Sequence, residues 1–382
     1  MSRFSRRVVF AEHGQNPGMN DKGKIKVLIV DDSAVMRQML TAILHEDKDI
    51  HVVGTAANPL IAREKIKTLK PHVLTLDVEM PGMDGITFLE KLMRLHPLPV
   101  VMVSSHTEKG AAATLRALEL GAVDFVPKPQ SGVREGMTHE LMNEIRSKVR
   151  EAAGAHVRPL PTPARTSLHL PSLSAASIYR EGVIVIGASA GGTQAIADIL
   201  AKLPRQIPGI AIVQHMPPKF TASFAERLNN QCHLEVREAQ SGDRLRPGVA
   251  LVAPGGYHMQ LMRAGGGYAV RVYLDEPVNR HRPSVDVLFD SAARTAGADA
   301  LGIILTGMGS DGAHGLHAMK MAGAHTIAQD QKSCVVFGMP EQAIRQGGVC
   351  EVTSLEQIAE RIIDWSNPDV TSENSYQNDK LL

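Results

Sequence analysis

The sequence predicts an α/β protein of two domains, each built on a parallel β-sheet, with a linker between them. Its 382 residues exceed the usual length of one domain. Short aliphatic runs alternate with stretches of helical spacing from about residue 26 to 128, and again from residue 182. Hydrophobic residues make up 43% of the chain but aromatic residues only 4%, so the cores must be aliphatic, as in strands buried on both faces.

The charge and cysteine content exclude several classes of protein. Lys and Arg number 41 against 40 Asp and Glu, a formal net charge of +1, which disfavours a general binder of nucleic acid or of anionic membranes. The three cysteines lack CxxC spacing, so neither a disulfide framework nor a Cys-rich zinc site is expected. No segment has the ~18 to 20 consecutive apolar residues of a membrane span. We therefore expect a cytoplasmic protein that does not insert into membranes.

The first domain is predicted over residues 24–143, after a disordered extension over 1–23. It contains five apolar runs, each bounded by turn or helix-start residues, which suits a compact doubly wound sheet. A helix is predicted over 137–152. A linker rich in Pro, Ser and Thr is placed over 144–179. The five predicted strands cover residues 27–30, 52–56, 73–76, 100–103 and 123–126.

The second domain is predicted over residues 180–368, before a frayed tail over 369–382. The α/β alternation resumes there, with strands predicted over 183–186, 210–213 and 301–305, each ending in a Gly- or Pro-rich loop. Residues 248–274 read as hairpin-like strands.

Carboxylates and a lysine stand at the strand ends of the first domain. Asp31 and Asp32 follow the first strand, Asp77 the third, and Lys128 the fifth. Because parallel strands share one carboxyl edge, these side chains can converge, and crowded carboxylates suit Mg²⁺. A metal with a lysine suits phosphoryl transfer to Asp77. The alternative is that each residue has only a structural role: Asp32-Ser33 cap a helix, Asp77 starts a turn, and Lys128 is a surface lysine.

The motifs VLIVDDSAVMR, VLTLDVEMPGMDG, VVMVSS and GAVDFVPKP together resemble a response-regulator receiver domain, which has a flavodoxin-like fold. The resemblance implies that Asp77 accepts phosphate from a histidine kinase and that the backbone carbonyl of Glu79 joins Asp31, Asp32 and Asp77 around Mg²⁺. It also implies that Ser104 and Phe125 are the switch pair.

A candidate nucleophile lies at the start of the second domain. Residues 187–191 match G-x-S-x-G between a strand and a helix, the context in which a tight turn presents a serine hydroxyl, here that of Ser189. Such a turn also binds dinucleotide phosphates. The sequence disfavours this alternative. Ser189 stands where G-x-G-x-x-G has its second glycine, and the next strand ends in Gln214-His215 without an acidic residue to bind the ribose.

A serine needs a base and a group that orients the base. His215 ends the second strand of this domain and Asp311 lies in the Gly-rich loop after the strand at 301–305, so both can meet Ser189 at one sheet edge. The order Ser, His, Asp differs from that of α/β-hydrolases, and a Rossmann-like sheet is expected instead. Alternatives are a structural His215, an Asp311 that caps a helix, and a metal site of Asp311, His314 and His317.

The motifs GASAGGTQAI, QHMPPKFTASFAERL, APGGYHM, VNRHRPSVDVLF, LTGMGSDGAHG and CVVFGMPEQAI resemble the catalytic domain of chemotaxis protein-glutamate methylesterases, the CheB family. The resemblance implies that Ser189 is the nucleophile, His215 its base and Asp311 the orienting carboxylate. The resemblance also implies that the backbone N–H of Met308 is an oxyanion donor. In G-x-S-x-G turns the backbone N–H of the residue after the serine is a second donor, which here adds that of Ala190. Substrates would be glutamyl methyl esters and selected glutamines of chemoreceptors, with no cofactor for the hydrolysis.

Regulation and receptor binding follow as expectations. A docked receiver domain would block a protein substrate until phosphorylation released it. Arg280, His281 and Arg282 are candidates for contacting an acidic receptor helix, although a solvated basic turn suits them equally. The competing class is a response regulator with a non-catalytic output domain, but no compact basic helix pair for reading DNA is visible after residue 180.

Overall fold

The structure is a computed structural model that describes residues 23–105, 107–128, 138–157, 159 and 180–367. The predicted tail, nearly all of the predicted extension and most of the predicted linker lie outside these ranges. Within them, no helix is both long enough and apolar enough to cross a bilayer.

The N-terminal domain is a five-stranded parallel sheet with helices between its strands. The strand order is β2-β1-β3-β4-β5, the doubly wound order of flavodoxin-like folds. Strands β3 and β4 are buried throughout, as their aliphatic sequences predict, whereas the edge strand β2 is mostly half-buried. The strands are β1 (Ile25–Val30), β2 (Ile50–Ala56), β3 (Val73–Asp77), β4 (Val100–Ser104) and β5 (Asp124–Pro127).

Each helix of this domain begins at a side chain that caps it. The helices are α1 (Ala34–His45), α2 (Pro59–Leu69), α3 (Gly85–Leu95), α4 (Glu108–Glu119) and α5 (His139–Ala152). Ser33, for example, accepts a hydrogen bond from the Met36 N–H at the start of α1. The predicted domain end at residue 143 falls inside α5, which continues to Ala152 because Ile145 and Val149 are buried in the core of this domain.

The C-terminal domain is a seven-stranded parallel sheet in the order β15-β14-β13-β6-β7-β10-β8, beside a small antiparallel sheet in the order β11-β12-β9. Parallel sheets in both domains confirm the predicted fold class. The parallel strands are β6 (Val183–Ala188), β7 (Gly209–Gln214), β8 (Glu235–Glu238), β10 (Val249–Val252), β13 (Ala300–Ile304), β14 (His325–Gln329) and β15 (Glu351–Thr353). The antiparallel strands are β9 (Arg244–Leu245), β11 (His258–Ala264) and β12 (Gly267–Tyr273).

The hairpin expected over residues 248–274 is only partly present. β11 and β12 pair as an antiparallel hairpin, but β10 joins the parallel sheet between β7 and β8. The reason lies in the sequence of β10, where Ala250, Leu251 and Val252 form a continuous apolar run that is fully buried, as in a central parallel strand. The helices of this domain are α6 (Gly192–Leu200), α7 (Phe220–Gln231), α8 (Val285–Thr295), α9 (Ala313–Met321), α10 (Met339–Arg345) and α11 (Leu355–Ser366).

Two candidate functional sites and the contact between them

The first site lies at the carboxyl edge of the N-terminal sheet. Asp31 directly follows β1 and Asp77 ends β3, and these two strands are neighbours in the sheet. Ligand oxygens of Asp31, Asp32 and Asp77 all lie within 4.8 Å of one another. The Lys128 Nζ lies 2.7 Å from a carboxylate oxygen of Asp77. The residues predicted from strand ends are therefore together, and Ser33 caps α1 beside them.

Burial and crowding make this site unfavourable for its own charges. Burial, together with the charge of Asp77, raises the pKa of Asp31 to about 6. Burial also raises the pKa of Asp77, although Lys128 opposes that shift. One carboxylate oxygen of Asp31, Oδ2, is buried and has no hydrogen-bond partner in the described part of the chain. An all-oxygen cluster with an unpaired oxygen fits a hard divalent cation.

The two residues of the predicted switch pair lie in the neighbouring strands β4 and β5. The hydroxyls of Ser104 and Thr114 lie 2.6 Å apart, and both reach the carbonyl of Gly110 near the start of α4. Phe125, in β5, is buried against the ring of Phe220 in the C-terminal domain, with 4.6 Å between the ring centroids. Sequence reasoning missed Thr114, because nothing in the helical spacing of α4 marks one buried threonine.

The second site begins at the tight turn after β6. Gly191, with φ of 74°, opens α6, and the Gly192 N–H donates to the Ser189 carbonyl at 2.7 Å. The loop after β13 packs closely over this turn, since a Cβ on Gly307 would lie 2.8 Å from the Cβ of Ser189. The turn thereby holds Ser189 at the carboxyl edge of the larger sheet, as the sequence predicted.

His215 and Asp311 form a buried pair at the same edge. The His215 Nε2 donates to Oδ2 of Asp311 at 2.8 Å, and the side chains are 7% and 1% exposed. Burial alone would raise the pKa of Asp311, but the hydrogen bond and charge of His215, with donors from Asn279 and Ser284, hold it well below its usual range. The carboxylate also accepts from the Val285 N–H at the start of α8. Asp311 is therefore an anion fixed against the imidazole.

The serine and the imidazole are adjacent but not hydrogen-bonded. The His215 backbone N–H donates to the Ala188 carbonyl at 3.1 Å, and the Gln214 side-chain amide donates to the Ser189 backbone carbonyl at 2.9 Å. Over the ranges that the structure describes, the Ser189 hydroxyl has no hydrogen-bond partner, and neither has the buried Nδ1 of His215. Because Nε2 is taken by Asp311, Nδ1 is the nitrogen left to act as a base. Hydrogen bonds at catalytic groups are often long in free enzymes and shorten on binding of substrate.

Two backbone N–H groups beside Ser189 are unpaired. Neither the Ala190 N–H nor the Met308 N–H donates a hydrogen bond to any described residue. The loop that carries Met308 is braced from behind, because the Gly307 N–H donates to the Val336 carbonyl at 3.0 Å and the Gly307 carbonyl accepts from the Gly338 and Met339 N–H groups. Fixed, unpaired N–H groups are suited to bind a developing oxyanion.

Two residues that contact the triad were not assigned to it from the sequence. The imidazoles of His215 and His281 are stacked, with 3.7 Å between centroids and 8° between planes. Burial and the neighbouring His215 lower the pKa of His281 to about 3. The Asn279 amide contacts Asp311. No sequence signal separates these residues from an ordinary polar turn. Of the three candidates for receptor contact, Arg280 is exposed, whereas His281 lies against His215 and Arg282 donates to the Asp275 carbonyl.

The rival metal site has little support. The His314 imidazole is 76% exposed and lies 3.5 Å from Asp290. Asp311 is occupied by His215 and the donors around it. Among the residues with described side chains, the cluster of Asp31, Asp32 and Asp77 is the single group of three or more potential metal ligands.

The N-terminal domain packs directly on the second site. The Gly191 N–H, two residues after Ser189, donates to the Val123 carbonyl at the start of the β5 region at 3.2 Å. Arg227 of α7 pairs with Glu119 of α4 at 2.5 Å and also donates to the Leu115 carbonyl. Ala190 is buried in the same apolar cluster as the core of the N-terminal domain. The two sites are therefore joined by one interface.

Comparisons with known proteins agree with this architecture. The CheB methylesterase family model matches residues 184–362, and the response regulator receiver domain model matches residues 27–136. A protein-glutamate methylesterase/protein-glutamine glutaminase of Salmonella typhimurium is 56% identical over 341 residues, which cover 89% of this chain and 96% of that protein. Protein-glutamate methylesterase/protein-glutamine glutaminase 2 of Cupriavidus pinatubonensis is 54% identical over 340 residues, with coverage of 89% and 95%. The crystal structure of the Thermotoga maritima CheB methylesterase catalytic domain aligns with 48% of this chain and 98% of its own, with 38% identity and a TM-score of 0.47.

Proposed function

The chain belongs to the CheB family of protein-glutamate methylesterases/protein-glutamine glutaminases, and on this premise we propose that Ser189, His215 and Asp311 are its catalytic triad. Its function is the phosphorylation-regulated hydrolysis of glutamyl methyl esters on chemoreceptors, which releases methanol, and the deamidation of receptor glutamines. The observation that carries the triad is the buried bond between His215 and Asp311 beside the turn of Ser189.

The proposed hydrolysis needs only side chains and backbone groups. The Ser189 oxygen attacks the ester carbonyl while Nδ1 of His215 takes its proton, and the carbonyl oxygen becomes an oxyanion held by the N–H groups of Ala190 and Met308. His215 then returns the proton to the departing methanol, which leaves an acyl-enzyme. Water gives a proton to His215 as it attacks the acyl carbonyl, and His215 passes that proton to the departing Ser189 oxygen. This regenerates the serine hydroxyl and releases the glutamate side chain as a carboxylic acid, which ionises in water. Asp311 holds the imidazole and stabilises its charged form. For a glutamine side chain, ammonia leaves in place of methanol.

The receiver domain supplies regulation through phosphorylation. We propose that Asp77 is the phosphoryl acceptor and that Asp31, Asp32, Asp77 and the Glu79 carbonyl hold Mg²⁺, which would neutralise charge at the transferring group. The crowded carboxylates and the unpaired Oδ2 of Asp31 support this set. The contact of Lys128 with the carboxylate of Asp77 supports a role for its ammonium group in meeting the phosphoryl oxygens. Ser104 would respond through its contacts with Thr114 and Gly110.

We propose that the docked arrangement is the inhibited state. The receiver domain contacts the turn of Ser189 through the hydrogen bond from the Gly191 N–H to the Val123 carbonyl. A receptor side chain must reach the same turn, so the docked receiver domain would obstruct it. Phosphorylation at Asp77 would shift the population toward an undocked state through the switch residues Ser104 and Phe125. The proposed domains are residues 24–143, extended by the rest of α5 to Ala152, and residues 180–368, with the remainder of the predicted linker 144–179 between them. The expected partners are receptor cytoplasmic domains and a chemotaxis histidine kinase, and the expected location is the cytoplasm.

The direct experiment measures methanol release from methylated receptor membranes, with and without a small-molecule phosphodonor. Wild type should release methanol faster with the phosphodonor. Ser189→Ala should release none, yet still incorporate phosphate at Asp77, since the receiver is untouched. Ser241→Ala, at an exposed serine of the same domain just before β9, is the matched control and should retain full activity. Methanol release by Ser189→Ala would contradict the triad assignment. If wild type itself released no methanol, a non-catalytic output domain would be supported instead.

A further inference from the structure

A two-residue turn, formed by residues 278–281, brings side chains onto the triad from outside the sheet. The main chains of Val278 and His281 exchange hydrogen bonds of 3.1 and 2.9 Å. The two residues at its tip have positive φ, 53° at Asn279 and 68° at Arg280. Asparagine is among the few residues other than glycine that adopt this conformation readily. The turn therefore has a backbone that suits Asn279, and its geometry directs the amide inward although the turn itself is exposed.

The amide of Asn279 joins two buried carboxylates. Its Nδ2 donates to Oδ1 of Asp311 at 2.8 Å and to Oδ2 of Asp286 at 2.7 Å, one N–H for each. Asp286 is 7% exposed, and its other oxygen accepts from the Gly315 N–H at 2.7 Å. The proposed hydrolysis makes no use of Asp286. A buried carboxylate beside a second one is costly unless donors lie between them, and here the donor between them is Asn279.

The bonds around Asp311 divide by oxygen atom. Oδ2 receives the His215 Nε2 and the Val285 N–H. Oδ1 receives the Asn279 amide at 2.8 Å, the Ser284 hydroxyl at 2.7 Å and, at the longer distance of 3.3 Å, the Asp286 backbone N–H. Donors on Oδ1 set the rotation of the carboxylate about its Cβ–Cγ bond. That rotation decides where Oδ2 lies, and with it the direction in which the imidazole presents Nδ1 to Ser189.

We infer that Asn279 is a positioning residue of the active site, which fixes Asp311 by an amide bridge to Asp286. The inference rests on the proposed function, because it assumes that Asp311 orients the base. Asn279 has no contact with Ser189 and acts through Asp311 alone. Its loss should therefore lower kcat and leave the apparent KM for receptor unchanged.

The test compares Asn279→Gly with Asn279→Ala in the full-length, phosphorylated enzyme. Both variants lack the amide. Glycine relieves the positive φ of the turn, whereas alanine retains the strain, so Asn279→Gly should be more stable than Asn279→Ala although both lose the same hydrogen bonds. We expect kcat for methanol release to fall by the same factor in both, roughly tenfold to a hundredfold, as when an outer partner of a functional group is removed. Urea unfolding, followed by the fluorescence of the single tryptophan, Trp365 in α11, reports the stability of the C-terminal domain.

The outcomes separate this inference from the proposed function. A wild-type kcat in Asn279→Gly, with Ser189→Ala inactive, would overturn the positioning role and leave the triad intact. The inference would also be overturned if kcat and stability both fell in Asn279→Ala while kcat stayed at the wild-type value in Asn279→Gly. In that case the backbone conformation of the turn, and not the amide, would determine kcat. A raised KM with unchanged kcat would show that Asn279 contacts substrate, which contradicts the inference. A wild type that releases no methanol is a failure of the proposed function itself.

Discussion

The ring of Phe125 lies 4.6 Å from the ring of Phe220 across the contact between the two domains. Phe125 belongs to β5, three residues before Lys128, and Phe220 begins α7, five residues after His215. A few residues therefore separate the proposed phosphorylation site from the proposed base, by way of one aromatic pair. Because the bond from Gly191 to Val123 lies in the same interface, a shift of β5 changes the surroundings of the nucleophile turn directly.

Reversing the charge at Glu119 should activate the enzyme without phosphorylation. Glu119→Arg places a cation against Arg227, where the structure has an ion pair of 2.5 Å with side chains 17% and 16% exposed. A loss of about 1.4 kcal/mol of docking free energy would change the docked-to-undocked ratio tenfold. We expect basal methanol release to rise by roughly that factor, up to the phosphorylated rate.

The reciprocal variant tests whether this pair is the cause. Arg227→Glu should also raise the basal rate, and the double variant Glu119→Arg with Arg227→Glu should lower it again, because the ion pair is restored with opposite polarity. Glu64→Gln, at an exposed pair on α2, is the control. Equal basal rates in wild type and both single variants would contradict inhibition by docking.

Replacing the phosphoryl acceptor should remove regulation and leave catalysis in place. Asp77→Asn keeps the size of the side chain but cannot form the acyl phosphate, so the phosphodonor should have no effect on methanol release, while the basal rate stays near that of wild type. Adding Glu119→Arg to Asp77→Asn should restore a high rate, since undocking then needs no phosphate. If the phosphodonor still accelerated Asp77→Asn, another residue would be the acceptor.

A methyl group at Gly307 should impair the oxyanion site. An added Cβ would lie 2.3 Å from the Met339 Sδ, 2.8 Å from the Ser189 Cβ and 2.9 Å from its N, so the loop that carries Met308 must move away from the nucleophile. We expect Gly307→Ala to lower kcat about a hundredfold, as when one oxyanion donor is lost. Phosphate incorporation at Asp77 should be unchanged. Gly267→Ala, with no atom within 4 Å of the new Cβ, is the control. Full activity in Gly307→Ala would remove the role of this loop.

The parts that could be predicted from sequence are those fixed by strand order. Ser189, His215 and Asp311 each follow a strand, and β13, β6 and β7 are consecutive in the sheet, so their carboxyl ends meet with the serine in the middle. The same rule brought Asp31 and Asp77 together from β1 and β3. Aliphatic runs mark such strands clearly, and residues just past them are placed by topology alone.

The parts that escaped prediction depend on side chains far apart in sequence and outside the strands. Asn279 and His281 reach the triad from a turn whose direction is set by α8 and the small antiparallel sheet, neither of which their own sequence reveals. The pairing of Glu119 with Arg227 joins two exposed-looking helix positions, 108 residues apart, that become neighbours only when the domains dock. Periodicity reports which face of a helix is apolar, but not which other domain will cover a charged residue on it.

The stacked histidine should make the C-terminal domain sensitive to acid. Burial lowers the pKa of His281 to about 3, from 6.5 in an unfolded chain. As the pH falls below about 6.5, the unfolded chain binds a proton that the folded chain does not bind, so the free energy of unfolding decreases until the pH reaches about 3. The groups that face His281 are His215, Asp311, Lys148 and Arg280. Of these, Asp311 is ionised throughout that pH range, because its pKa lies well below its usual value, and its negative charge opposes the lowering of the His281 pKa.

His281→Phe keeps a flat ring against His215 but removes the titrating group. We expect its urea midpoint, read from Trp365 fluorescence, to fall less between pH 7 and pH 5 than that of wild type, because the unfolded variant gains no proton at this position. His314→Gln, at a histidine on α9 that is 76% exposed, is the control and should follow wild type. Parallel midpoints for His281→Phe and wild type across this range would show that His281 binds its proton equally in both states, and hence that the stack does not hold it neutral.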